Sequence, residues 1–281
     1  MPKPRPPRSA TPHLLATSAA DGPQPNRRQR VQSAEKGMSV LKGLARLSGR
    51  ASLTTLATHV GESPAKVHRY LASLVEEGLV AQDGNGHYYL GTEAIHIGLA
   101  AMRQVDPIRL SEASLVRLRE TLEVTCFLAV MGNKGPTIVR FEEPGLPVTV
   151  NVRTGSVLSL VWSATGRVFL GMLEENAVLA MAKEEVRAAS ADLRALLPAA
   201  DPIGSLQREV RTAGCAIVRD VYLRGISAVA APVRDAGGRV CAVLTALGAT
   251  GGFDPSTEGP IATAVRQEAD ETSLRLGYHP A

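Results

Sequence analysis

The sequence predicts an α+β fold in two parts: an N-terminal winged helix-turn-helix with a linker helix, then a larger domain with a largely antiparallel sheet. Three observations predict it. Three short amphipathic helical stretches and a hairpin signal follow one another between Val31 and Leu90. The basic excess is confined to the same end of the chain. After Pro107, strand-like runs alternate with helical stretches, and the last two strands are joined by a tight Gly237-Gly238 turn.

A chain of 281 residues is long enough for two cores, because single cores stop growing near ~250–300 residues. No apolar run approaches the ~18 residues needed to span a bilayer. The net charge of +4 is unevenly placed: residues 1–26 carry +2, residues 27–104 carry +4 and residues 105–281 carry −2. Such asymmetry points to a polyanion partner for the N-terminal part, or to a merely solvated basic face. Cys126, Cys215 and Cys241 are widely spaced and lie in apolar contexts. They form no metal-ligand spacing or disulfide framework, so no metal and no cofactor is expected, and a reducing cytoplasm is the simplest compartment.

Residues 1–26 are Pro-rich and lack apolar periodicity, which predicts a disordered tail. Residues 27–91 are expected to form the winged domain. Its first helix shows a stripe of Val31, Ala34, Met38, Leu41 and Ala45, filled by Leu44, and ends at Gly49-Arg50. Ser52 is positioned to cap a second helix with Leu53, Leu56, Ala57 and Val60 on its apolar face, and Gly61 supplies a turn. Ser63 followed by Pro64 starts a third: a side-chain N-cap, then a proline where a missing N–H has no consequence. It runs to about Glu77, with Gly78 as its terminator. Strands Leu79–Gln82 and His87–Leu90 flank the turn Asp83-Gly84-Asn85-Gly86. Residues 92–107 read as a linker helix, capped by Thr92, with a stripe of Ile95, Leu99 and Met102. That stripe fits an interface with a second copy or packing against the winged domain.

Residues 108–281 form the second domain. A helix over Ile108–Leu122 carries Leu115, Leu118 and Leu122 on one face. Strands are expected at Cys126–Met131, Thr137–Glu142, Val148–Val152, Cys215–Val218, Ile226–Arg234 and Val240–Leu247. Helices are expected near Ser163–Gly166, through 176–197 and 204–213, and from Asp254-Pro255 onward.

The third helix carries the chemistry. At about 100° per residue, Val67, Leu71, Leu74 and Val75 share one face and must pack inward. Ala65, Lys66, Arg69, Ala72, Ser73 and Glu76 point the other way. Small residues allow close approach to a groove, Arg or Lys can donate to guanine, and Ser donates or accepts. Arg69 fits a base or a phosphate equally. His68 and Tyr70, on the flanks, fit packing or backbone contact better than base readout. Hydroxyls and helix N-termini beside a recognition helix grip phosphates, so the candidate DNA-binding set also includes Arg50, Ser52, Ser63, Asn85 and His87.

Residues 31–104, with VQSAEKGMSVLKGL, SLTTLATHVGESPAKVHRYLASLVEEGLV and GHYYLGTEAIHIG, resemble the DNA-binding domain of the IclR family of bacterial transcription regulators. The likeness continues through NVRTGSVLSLVWSATGRVFLG and REVRTAGCAIVRDVYLRGISAVAAPVRDAGGRVCAVLTALG, roughly to residue 275. It implies a GAF-like effector-binding domain, and dimers or tetramers on palindromic operators in double-stranded DNA, with repression as the expected mode. It also implies a small carboxylate or aromatic metabolite as effector. The family often has Lys-Ser-Thr where this chain has Pro64-Ala65-Lys66, so an operator sequence does not carry over. The family pocket maps to Ser163–Arg167, to Ala228 and Val229, and to Thr245–Leu247, with Leu158, Leu160, Trp162, Thr165, Gly166 and Val218 completing the candidate effector-binding set. Val218, Val221, Ala228 and Leu247 replace residues that are often polar in the family, and Arg167 replaces a Lys. An aromatic or largely apolar effector is therefore expected, oriented by Trp162, Thr165 and Thr245. Trp162 fits simple core or interface filling equally well.

Two other functions compete. Catalysis needs a convergent nucleophile, base and orienting group or a metal cluster; the second domain offers His279 alone among histidines, and GNGHYYLG lacks the ending of a phosphate loop. No enzyme is expected. A winged helix used for protein contacts is the other, and the basic excess speaks for DNA.

Overall fold

The computed structural model describes residues 31–145, 152–221, 224–254 and 256–280. The expected tail, strand positions 148–151 and Pro255 lie outside the described residues. The chain falls into two compact units, parted in the sequence between Ala101 and Met102.

In the first unit, α1 spans Gln32–Arg46. Its buried face is Gly37, Val40, Gly43 and Leu44, which corrects the stripe expected from apolar spacing: Met38 is 48% exposed and Val31 and Ala45 face solvent. The reason is close packing through glycine. A Cβ on Gly43 would stand 2.5 Å from Val60 Cγ1, and one on Gly37 would touch the Tyr70 ring. The true contact face thus contains residues that an apolar count overlooks. A short strand β1, Arg50–Ala51, follows; two residues carry too little pattern to be read in advance. Helix α2, Leu53–Val60, is capped as expected, Ser52 Oγ accepting from Thr55 N at 3.1 Å, and Gly61 turns out of it at φ 68°.

Helix α3, Pro64–Glu76, opens with Ser63 at the N-cap position and Pro64 in the first turn. The Ser63 hydroxyl makes no capping bond, contrary to expectation. Val67, Leu71 and Leu74 are buried, whereas Val75 is 40% exposed. Val75 lies at the margin of the stripe, near the helix end, where no neighbour covers it. Strands β2 (Val80–Gln82) and β3 (Tyr88–Leu90) form the wing, with β1 added to give the antiparallel order β1-β3-β2. Helix α4 spans Thr92–Arg103, so Thr92 is its first residue and not its cap. None of its residues is buried: Ile95, Leu99 and Met102 are 58%, 46% and 56% exposed.

The second unit is a five-stranded antiparallel sheet with helices on both faces. Helix α5 spans Pro107–Leu122, capped by Asp106 Oδ1 at 2.9 Å from Ile108 N. Then come β4 (Thr125–Gly132), β5 (Gly135–Glu142), α6 (Ala164–Met172), α7 (Asn176–Ala188), α8 (Ala191–Arg194) and α9 (Pro202–Ala213). Strands β6 (Ala216–Arg219), β7 (Ile226–Arg234) and β8 (Val240–Ala249) follow, and α10 (Pro260–Arg275) closes the unit. The sheet order is β5-β4-β8-β7-β6, with every pairing antiparallel. Side chains alternate across a strand, so Ala230 joins a core with α6, α7 and α9. Val229, Ala231 and Val233 join a separate core with α5 and α10.

The last helix starts later than Asp254. The Asp254 carboxylate accepts from both the amide and the hydroxyl of Ser256 at 3.0 Å, which stabilises a local turn, and Gly259-Pro260 opens the helix.

Candidate nucleic-acid interface and ligand cavity

The outward face of α3 presents Ala65, His68, Arg69, Ala72 and Ser73 to solvent. These small, polar and cationic side chains lie on one exposed helix, as groove contact requires. The other expected residues are more engaged. Tyr70 packs into the core of the unit. Lys66 is half-buried, its Nζ 2.9 Å from Glu62 Oε2. The Ser52 hydroxyl is taken up in capping α2. Arg50 pairs with Asp83, the residue that shapes the wing. Asp83 Oδ1 also accepts from the amides of Asn85 at 2.9 Å and His87 at 3.0 Å. These bonds, the His87 amide foremost, hold the Asp83 carboxyl below the usual range. Asn85 is exposed at the tip. His87 is half-buried, its Nδ1 4.0 Å from Asp83 Oδ1 and without a hydrogen-bond partner among the described residues.

In the second unit a half-open cavity of about 450 Å³ lies against the sheet beside the start of α6. Five of the expected effector residues line it: Leu158, Trp162, Val218, Ala228 and Leu247. Five do not, each for a physical reason. Leu160 is wholly buried in the core. Val229 points through the sheet to the opposite core, as strand alternation demands. Thr165 and Thr245 are buried and bonded to one another at 2.8 Å, so neither hydroxyl is turned to the cavity. Gly166 is a packing residue: a Cβ there would stand 1.9 Å from the Ser159 carbonyl oxygen, so only glycine lets α6 lie under the preceding loop.

The cavity also takes in Phe127, Ile226, Val152, Val157, Ala164 and the serines Ser156, Ser159 and Ser163. Ile226 was within reach of sequence reasoning, lying two residues before Ala228 on the same strand. Phe127 follows from its pairing with Thr245, which the sequence does not show. The serines sit in an irregular segment without periodic signal.

Among the described residues no charged side chain lines this cavity. Two nearby charged groups, Glu185 and Arg167, are engaged in the architecture. Glu185 from α7 accepts from the Ser159 hydroxyl at 2.5 Å, Leu160 N at 2.9 Å and Val161 N at 3.0 Å, fixing the loop that forms one wall. Arg167 is buried and donates from Nε to the Val161 carbonyl at 2.9 Å. Burial lowers its pKa from the ordinary guanidinium value. Ser163 Oγ caps α6, accepting from Gly166 N at 2.9 Å. The wall is thus apolar, with hydroxyls gathered at one helix start. Among the described residues there is also no cluster of metal-ligating side chains and no helix long and apolar enough to cross a membrane.

A winged helix-turn-helix followed by an antiparallel α+β unit with a ligand-sized cavity defines a two-part DNA-binding transcription regulator. Comparison with known proteins agrees. Residues 33–84 match the IclR helix-turn-helix domain, and residues 99–274 match the C-terminal domain described as bacterial transcriptional regulator IclR. The chain belongs to the IclR family.

Among curated relatives it is 26% identical to the acetate operon repressor of Salmonella typhimurium over 154 residues, 54% of this chain and 56% of that one. It is 26% identical to the transcriptional repressor IclR of Escherichia coli, over 58% of each chain. The match thus spans just over half the length of these two relatives. It spans 94% of the repressor AllR of Klebsiella pneumoniae and 92% of this chain, at 24% identity. Among solved structures, Pseudomonas aeruginosa HmgR is 40% identical, with a TM-score of 0.80 over 89% of this chain and 100% of that one. The Agrobacterium tumefaciens repressor BlcR, 17% identical, shares the fold with a TM-score of 0.69 over 89% of this chain and 99% of that one. The family is one of transcription regulators, consistent with setting enzymatic turnover aside.

Proposed function

We propose that the protein is a cytoplasmic repressor that binds a palindromic operator as a homodimer or homotetramer and answers to an aromatic or largely apolar metabolite held in the C-terminal cavity. The observation that carries the ligand class is the cavity wall: Phe127, Trp162, Val218 and Leu247 with hydroxyls at one end and, among the described residues, no charged side chain. A small dianion placed there would lose its hydration without a cation to replace it. An aromatic ring would bury apolar area, and a single polar substituent would meet the Ser156 hydroxyl. On the DNA side, Arg69 and Ser73 are the direct contacts this reading favours, with Ala65 and Ala72 allowing close approach. The exposed Ile95, Leu99 and Met102 stripe of α4 supports self-association.

Footprinting on DNA upstream of the protein's own gene, with and without aromatic and dicarboxylic acids, tests the proposal. Protection of a two-fold symmetric site, modulated by an aromatic compound, is the expected result. Calorimetry showing tight binding of only a small dianion would overturn the ligand class. An unchanged sedimentation coefficient for the Ile95→Glu, Leu99→Glu double variant would overturn the role of α4.

A further inference from the structure

Glu62 sits two residues before α3, between the turn glycine and the Ser63 N-cap position. Its side chain is only 18% exposed. One carboxylate oxygen is bound by Lys36 Nζ from α1, and the other by Lys66 Nζ from the first turns of α3 at 2.9 Å. The carboxylate thus spans two helices and holds a lysine from each beside the start of α3. It also places a negative charge beside a helix N-terminus, where a carboxylate is favoured and where a DNA phosphate is otherwise gripped.

We propose that Glu62 stands in for a DNA phosphate, holding Lys36 and Lys66 back from the DNA backbone and so limiting sequence-independent binding. The inference rests on the reading of α3 as the DNA-facing helix. Non-specific affinity comes from lysines and arginines that displace counterions from phosphates. Occupying two lysines internally lowers this sequence-independent term, on which binding to random DNA depends. Contacts made by Arg69 and Ser73 are untouched, because neither bonds to Glu62. The charge states agree with this arrangement. Bonds from Lys36 and Lys66 hold the Glu62 carboxyl below its ordinary range, and the bond to Glu62 raises Lys36, so both groups are ionised near neutral pH.

The experiment measures binding of the full chain to a random-sequence duplex across a salt series, for the native protein, Glu62→Gln and Lys66→Gln. In Glu62→Gln the non-specific affinity should rise. The slope of log K against log salt should steepen by about 0.9 for each lysine released. Lys66→Gln in the otherwise native chain should change the slope by much less than 0.9, because that lysine is already occupied. Melting curves followed by circular dichroism establish that each variant is folded, and the Lys66→Gln measurement stands even where Glu62→Gln unfolds. An unchanged or shallower slope in folded Glu62→Gln, or a full loss of about 0.9 in Lys66→Gln, would overturn the proposal and leave Glu62 as a brace between α1 and α3. If the native protein shows no salt-dependent duplex binding, the DNA reading of α3 fails, and this inference falls with it.

Discussion

The α3 face and the C-terminal cavity are built in opposite ways. The first is a run of thirteen consecutive residues in which one periodicity separates core from contact surface. The second is assembled from β4, the segment before α6, β6, β7 and β8, and its wall is at the same time the skin of a hydrophobic core. On α3, the proposed DNA contacts and the core are therefore carried by different side chains. Around the cavity the proposed ligand contacts are core residues as well, so substitutions there should move ligand response and melting temperature together.

The contrast breaks most visibly at Gly166. Adding a methyl group at Gly166 drives it into backbone atoms of the Ser159 loop. Gly166→Ala should lower stability by on the order of 3 kcal/mol or more in denaturant titration. Gly61→Ala, at positive φ but with open space around it, should lose only about 1 kcal/mol. Equal losses at the two positions would mean that the cavity loop yields freely and is not part of the core.

On the other side of the comparison, Arg69→Ala should weaken operator binding by about 1–3 kcal/mol while leaving the melting temperature unchanged. A uniform loss on every DNA sequence would reassign Arg69 to phosphate holding. A fall in melting temperature would show that surface and core are not separable on α3.

The buried hydroxyl pair sharpens the point within the cavity region. Thr165→Val leaves Thr245 Oγ1 without its partner and should destabilise by about 1–3 kcal/mol. The Thr165→Val, Thr245→Val double variant should recover most of that loss, because both polar groups are then gone. A double-mutant cycle with no coupling would refute the bond as a structural element.

The smallest effect compares two serines that look alike in sequence. Ser52→Ala should cost about 1 kcal/mol by removing a cap that is made. Ser63→Ala, where no capping bond exists, should stay within about 0.5 kcal/mol. Chemical denaturation of both resolves the difference.

Legibility in the sequence follows the same division. The three helices, the wing and the long strands of the second unit announce themselves by period and by cap residues, because those signals are local. Ile226–Arg234 stands as read. What failed was non-local. The contact face of α1 runs through Gly37 and Gly43, which an apolar count does not see. Ser63 has the residue type and position of a cap but not its bond, and Glu62 lies next to it tied to two lysines. Five of the ten expected effector residues line the cavity, where family position and strand register put them. The bond between Thr165 and Thr245 has no signature in a sequence, because the two residues stand eighty positions apart. The serines of the cavity rim sit where no period operates.

Helix α4 has a thermodynamic consequence. It has twelve residues, four of them large and apolar, and none buried. An isolated helix shorter than about 12–15 residues is marginal in water, so most of α4 has little in its own chain to offset the entropy of ordering. In the proposed assembly, cover by a second copy supplies that stabilisation, and its extent then depends on protein concentration through mass action. Dilution would act on the regulator as a ligand does: it would loosen α4 and unlink paired recognition helices before either folded unit begins to melt.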